Sequence, residues 1–218
     1  PVVGCLIQSD DGTYDLTGDL TIESALSAIR IMDASNNILN YTGNIVTNSS
    51  GSSGLYLNNS SSNTATINGN IDISQLGLYG IMASSSSGNN TITMNGNITT
   101  NRYNGYGYLQ LGENNTSFTL NGNITTLGED APAILLYISN NANITLNGNL
   151  IVGESRLLNG RGIDMFNSTG ATITNLGTIT TGGADFSLPP YHINLRGTST
   201  VATLNNLQSG LTYSGVIP

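Results

Sequence analysis

Apolar and polar residues alternate along this chain in short runs that return at a nearly constant interval. Each run is centred on a glycine phrase: Thr-Gly-Asp-Leu at 17–20, Thr-Gly-Asn-Ile at 42–45, Asn-Gly-Asn-Ile at 68–71, 95–98 and 121–124, Asn-Gly-Asn-Leu at 147–150 and Leu-Gly-Thr-Ile at 176–179. Through glycines 18, 43, 69, 96, 122, 148 and 177 the steps are 25, 26, 27, 26, 26 and 29 residues. Repeats of this length, built of strand-like runs without helical periodicity, bury their apolar face only by stacking on their neighbours.

Aligned on the glycine, the chain resolves into columns. Two residues after it stand Leu20, Ile45, Ile71, Ile98, Ile124, Leu150 and Ile179. Two before it stand Leu16, Tyr41, Ile67, Met94, Leu120, Leu146 and Asn175, and four before it Tyr14, Leu39, Ala65, Ile92, Phe118, Ile144 and Ile173. Spacing by two marks a strand with one buried face. A second strand follows about twelve residues on, with Ile29, Leu55, Ile81, Leu109, Ile134, Ile163 and Ile193 inward and Ile31, Leu57, Ala83, Leu111, Leu136, Met165 and Leu195 two places later. Clusters such as Ser84–Asn90, Gly112–Asn115 and Asn140–Asn143 read as corners.

The pattern predicts an all-β chain, a right-handed parallel β-helix of about seven coils, with two strong strands per coil and room for a short third. Residues 1–15 read as a cap or lead-in, 16–207 as the coils, and 208–218 as the start of a further coil. Asn44, Asn70, Asn97, Asn123 and Asn149 follow the glycine and are expected to form an outward amide ladder beside the inward Ile45, Ile71, Ile98, Ile124 and Leu150 ladder. The glycine is expected to serve a bend within the strand, where a Cβ would collide with the next rung or φ is positive.

Composition sharpens this picture. Only 8% of the 218 residues are charged, lysine is absent, and the net charge is −8. That balance lacks the basic footprint of nucleic-acid binding. No apolar run is long enough for a membrane-spanning helix, and no secretory leader is visible. Cys5 stands alone, so no internal disulfide forms, and Val2-Val3-Gly4-Cys5 matches a lipoprotein box only loosely.

Candidate chemistry is sparse. His192 is the only histidine, no nucleophile-elbow signature accompanies it, and one His with one Cys excludes a His/Cys metal cluster. Neither a catalytic residue, a metal site nor a cofactor is assigned. The thirteen carboxylates are scattered and read as solvated corner charges. Glu129, Asp130 and Glu154 are the nearest approach to a Ca²⁺ site. Asn-x-Ser/Thr matches at Asn48, Asn59, Asn97, Asn123, Asn143 and Asn167 arise readily in so Asn- and Thr-rich a chain.

Recognition is better sought among exposed aromatics and insertions. Tyr103, Tyr106 and Tyr108 cluster in one coil, with Tyr79 a coil earlier and Tyr137 a coil later. The longest coils bulge through 153–160 and 183–191, bringing Arg156, Arg161 and Tyr191 to one face. These eight residues form the expected contact surface.

At Asn-Gly-Asn-Ile-Thr-Thr-Leu-Gly-Glu-Asp-Ala-Pro-Ala-Ile (121–134) and Asn-Leu-Gly-Thr-Ile-Thr-Thr-Gly-Gly-Ala-Asp (175–185), the sequence resembles the passenger repeats of bacterial autotransporters. The ending from Leu204 is similar to the segment where such passengers leave their simple repeats. The resemblance implies a non-enzymatic passenger of a type V secretion protein, placed outside the cell by a C-terminal β-barrel beyond Pro218. On this reading the chain is a surface adhesin or stalk whose partner is a host or neighbouring-cell glycan or protein. Two alternatives stand beside it. One is a filament subunit or ice-binding solenoid, from the open ends and the recurring Thr100, Thr126 and Thr181. The other is a polysaccharide-acting β-helix or tail-spike fragment, which would converge three or more carboxylates in a groove.

Overall fold

The computed structural model describes residues 4–74, 78–84, 88–101, 103–128, 131–153, 160–182 and 191–215. Among them there is no helix, and therefore none that could cross a membrane. The chain is a parallel β-solenoid of about seven turns, with longer strands in two sheets and the expected short third strand forming a sheet of its own. Sheet A has nine strands, from Cys5–Ile7 to Tyr213–Ser214. Sheet B has eight, from Thr13–Thr17 to Val201–Asn206, and sheet C has seven three-residue strands, from Leu20–Ile22 to Ile179–Thr181. One coil runs Thr64–Asn68 in B, Ile71–Ile73 in C and Tyr79–Ser84 in A. Residues 5–7, inside the expected lead-in, already pair with Ile29–Ile31, and Tyr213–Ser214 begins a further rung on Ile193–Asn194.

The glycine phrase is therefore a corner between sheets B and C, not a bend inside one strand. Sheet C strands are only three residues long, so sequence periodicity merged them with the strand before. The isoleucine ladder holds as read: Ile45, Ile71, Ile98, Ile124 and Leu150 pair in register and are buried. At the corner the chain lies so close to the coil below that a Cβ on Gly122 would meet the carbonyl of Gly96. Close approach alone fixes glycine at Gly122, while Gly43 and Gly69 combine it with a positive φ.

A second glycine column went unread in the sequence. Gly54, Gly80, Gly107 and Gly162 are the second residues of their sheet A strands, and a Cβ on each would meet the Cγ2 of Ile71, Ile98, Ile124 or Ile179. The isoleucine ladder thus fills the volume that these glycines leave empty. Dense interdigitation of this kind is what a narrow interior needs to approach native packing.

The amide ladder is also present. The side-chain oxygens of Asn44, Asn70, Asn97 and Asn123 accept the backbone N–H of Asn70, Asn97, Asn123 and Asn149 at 2.9–3.1 Å. A parallel file joins the side chains of Asn68, Asn95, Asn121 and Asn147 at 2.6–2.7 Å. A third, buried file went unread: Asn37 N–H donates to Asn63 Oδ1 at 2.9 Å, and Asn63 N–H to Asn90 Oδ1 at 3.0 Å. The first and third files satisfy corner backbone N–H groups that the sheets leave unpaired, and the second ties side chain to side chain.

Two inward assignments were displaced. In the Tyr106–Leu111 strand the residues opposite Ile81 and Ala83 are Tyr108 and Gln110, not Leu109 and Leu111. Tyr79 pairs with Tyr106, and a one-residue slip exchanges every inward and outward side chain. The column containing Thr100 and Thr126 faces the interior; their hydroxyls donate to Gly105 O and, at 2.8 Å, to Ala131 O. These threonines are thus no ice-binding face.

Between sheets A and B the corners use left-handed residues, among them Asn36, Asn89, Asn115 and Asn141. Asparagine tolerates that region through local hydrogen bonding. Ile138 occupies it too, at φ 52°, although a β-branched residue is strained there. Replacing Ile138, half exposed at 49%, by Asn is expected to raise stability by about 1 kcal/mol, seen as a higher urea midpoint. Gly122→Val is expected to lower it by about 2–4 kcal/mol, and an unchanged midpoint would refute the close approach at the corner.

Candidate functional site

Among the described residues sheet A is the only sheet whose strands reach six residues in several coils, so it presents the broadest lateral face. Its outward columns follow from the alternation: Arg30, Tyr56 and Met82 pair across three coils, between inward Ile29 and Ile31, Leu55 and Leu57, Ile81 and Ala83. With Met32, Leu26 and Tyr79 they line a groove of about 350 Å³. Among the described residues no carboxylate lines it. Tyr79 stacks on Tyr106 with ring centroids 5.4 Å apart. Burial, reinforced by the adjacent Tyr56, pushes the Tyr79 hydroxyl above its ordinary value. It is therefore a neutral donor at any physiological pH. Arg30 is half-buried, its Nε has no hydrogen-bond partner, and among the described residues it has no ion pair.

The expected tyrosine patch divides. Tyr79 and Tyr106 belong to the groove side of sheet A, and Tyr103 stands 54% exposed on the preceding turn. Tyr137, one coil beyond Tyr106, stacks on Phe166 of the next coil at 5.0 Å. Tyr108 is not a surface residue: it is fully buried, its ring stacked on Phe118 at 4.2 Å, because the register turned it inward. Tyr191 opens the strand paired with Arg161. Arg156, Glu129, Asp130, Glu154 and most of both insertions lie outside the described residues.

Arg161 is not idle either. Its Nη1 lies 2.9 Å from Asp164 Oδ2, and Arg196 Nη2 lies 2.6 Å from the same oxygen. Asp164, only 1% exposed, also accepts Asn194 Nδ2 at 2.8 Å. Arg196 in turn sits 5.3 Å from the centroid of the Phe166 ring. This is a satisfied buried charge with its counter-ions, the arrangement that desolvation demands. The expectation that all carboxylates are solvated corner charges fails here and at Glu113.

Glu113 is fully buried where sheet A turns toward sheet B, one coil along from the end of the buried asparagine file. Its Oε2 accepts Asn90 Nδ2 at 3.1 Å and Thr116 Oγ1 at 3.0 Å, while Oε1 has no partner. Close by, Tyr108 donates to Gln110 Oε1 at 3.1 Å. Burial pushes the Glu113 carboxyl up to about 7 against the two hydrogen bonds that favour its charge. The cluster is sealed from solvent and has the form of a structural polar plug.

His192 lies in the Tyr191–Arg196 strand, where Nδ1 accepts the Thr212 N–H at 2.9 Å; burial holds its pKa down. Cys5 is half-buried, and burial raises its thiol pKa, which weakens it as a nucleophile. Among the described residues no three His, Cys, Asp or Glu side chains gather into a metal-binding group. The chain matches no protein-family model, no curated protein and no solved structure.

The sequence reading passed over Arg30 and Tyr56. The signal was available, since each is flanked by two residues of the inward column and must point outward.

Because the folded carboxyl of Glu113 titrates near 7 and a free one near 4.5, its contribution to stability is complete below about pH 4.5 and is lost as pH rises through about 7. The wild-type urea midpoint is expected to fall between pH 5 and pH 8.5 by a Glu113-dependent amount on the order of 2 kcal/mol. In Glu113→Gln that part of the fall disappears, and equal pH dependence in the two proteins would contradict a neutral buried carboxyl.

Proposed function

We propose that this chain is the non-enzymatic shaft of an extracellular adhesin or stalk, of the kind that autotransporter passengers provide. What supports the reading is the continuity of the ladders: sheet C holds seven strands and sheet B eight, each pairing with its neighbours in parallel. At about 4.8 Å per rung, seven coils make a rod roughly 35 Å long. Such a rod resists bending because every rung is tied to the next by backbone bonds in three sheets and by asparagine files at the corners. Its faces carry side chains at a fixed spacing, which suits multivalent surface contact better than turnover of a substrate. A charge-poor repeat of this type without an internal disulfide folds by successive stacking of coils, and so is compatible with folding outside the cell.

The groove over Arg30, Tyr56 and Tyr79 is the part of this shaft that we assign to contact. The insertions at 153–160 and 183–191 remain further contact candidates on the same reading.

The test is display. Fused upstream of an autotransporter β-barrel in a Gram-negative host, the chain is expected to appear on the cell surface, accessible to external protease, and to increase attachment of those cells to a glycan- or protein-coated surface. Surface display without any gain in attachment would reduce the reading to a stalk, and failure to cross the outer membrane would overturn it. Negative-stain images of the purified chain are expected to show isolated short rods; long fibres would favour the filament reading instead.

A further inference from the structure

We infer that the groove lined by Arg30, Tyr56, Tyr79 and Met82 binds a saccharide that carries a carboxylate, one or two sugar units at a time. This deepens the adhesin reading and rests on it for its biological setting. The argument begins with charge. The chain carries a net charge of −8, and its three described arginines divide two against one. Arg161 and Arg196 are spent on Asp164, while among the described residues Arg30 has no carboxylate partner and lines a groove without a single acidic residue. Its Nε is shut off from solvent without a hydrogen-bond partner, so the guanidinium is already partly desolvated. An unpaired cation in that state gains more from an incoming anion than a solvated one does.

One anion is what the site accommodates. Phosphate-binding sites gather several cations or a nest of backbone N–H groups, and a single guanidinium fork matches a carboxylate. The rest of the wall is aromatic and aliphatic. Tyr56 sits directly beside Arg30 in the strand register, with Met82 beyond it. Tyrosine rings present flat, polarisable faces for the C–H side of a pyranose, and their hydroxyls reach its polar edge. The neutral Tyr79 hydroxyl, raised by burial and by Tyr56, donates rather than repels. A volume of about 350 Å³ lies at the small end of ligand pockets, which suits a terminal sugar and excludes an extended chain.

The experiment is calorimetric titration of the whole chain with two trisaccharides that differ only in the terminal unit, glucuronic acid or glucose. The acidic sugar is expected to bind at least about tenfold more tightly, the scale of one charge-assisted contact. Arg30→Gln is expected to erase that difference, and Tyr56→Leu to weaken both sugars, with the urea midpoint of each variant showing that the solenoid still folds. Equal binding of the two sugars, or an acidic preference that survives Arg30→Gln, would overturn the inference. So would displacement of the acidic sugar by an equal concentration of acetate, which would mean a bare anion site. Absence of binding sinks the groove assignment alone, because surface display is measured independently of it.

Discussion

Everything in this molecule depends on the distance between one coil and the next. Parallel strands must lie about 4.8 Å apart for their hydrogen bonds to form, and at the B–C corner the backbone comes so close that only glycine fits over the glycine below. The same spacing dictates the second glycine column, whose missing side chains make room for the isoleucine ladder. A coil is therefore not free to choose its residues independently. Each one must reproduce the outline of its neighbour at three corners, and the repeat phrase is the record of that requirement.

Several polar groups inside such a narrow shaft are organised into files or closed clusters. The buried asparagines hand a hydrogen bond from coil to coil, and this leaves few main-chain donors stranded at the corners. Where the file ends, Glu113 takes over with two partners and one unpaired oxygen, and its carboxyl becomes easy to protonate. Asp164 solves the same problem differently, by keeping its charge and recruiting Arg161, Arg196 and Asn194. Arg30 differs from the other described arginines in having no such closure. That contrast sets Arg30 apart from the structural ion pairing on the same sheet.

Much of this was legible from the columns. The inward Ile45–Leu150 ladder and the outward Asn44–Asn149 ladder could be read directly, because coil-to-coil register repeats the same side-chain type at the same place. The misread residues are those where hydrophobicity and register disagree. Leu109 looked like core and Tyr108 like surface, yet pairing with the coil before fixed Tyr108 inward, where Phe118 stacks on its ring and Gln110 receives its hydroxyl. Thr100 and Thr126 looked like a repeated surface motif, but their hydroxyls close onto backbone carbonyls inside. The groove escaped notice because its residues come from three coils and share no motif; only their outward parity was visible.

The sequence by itself determined the architecture: a period of 25 to 29 residues, strand alternation and corner chemistry admit few folds other than a stacked solenoid. Period is a local property, repeated coil after coil, and it survives in one dimension. What only the tertiary structure decided was the division of each coil into three sheets, the inward turn of Tyr108, the burial of Glu113 and Asp164, and the meeting of Arg30 with Tyr56 and Tyr79. Those depend on which residues oppose one another between coils. A one-residue change in loop length alters that opposition while leaving the local pattern almost untouched.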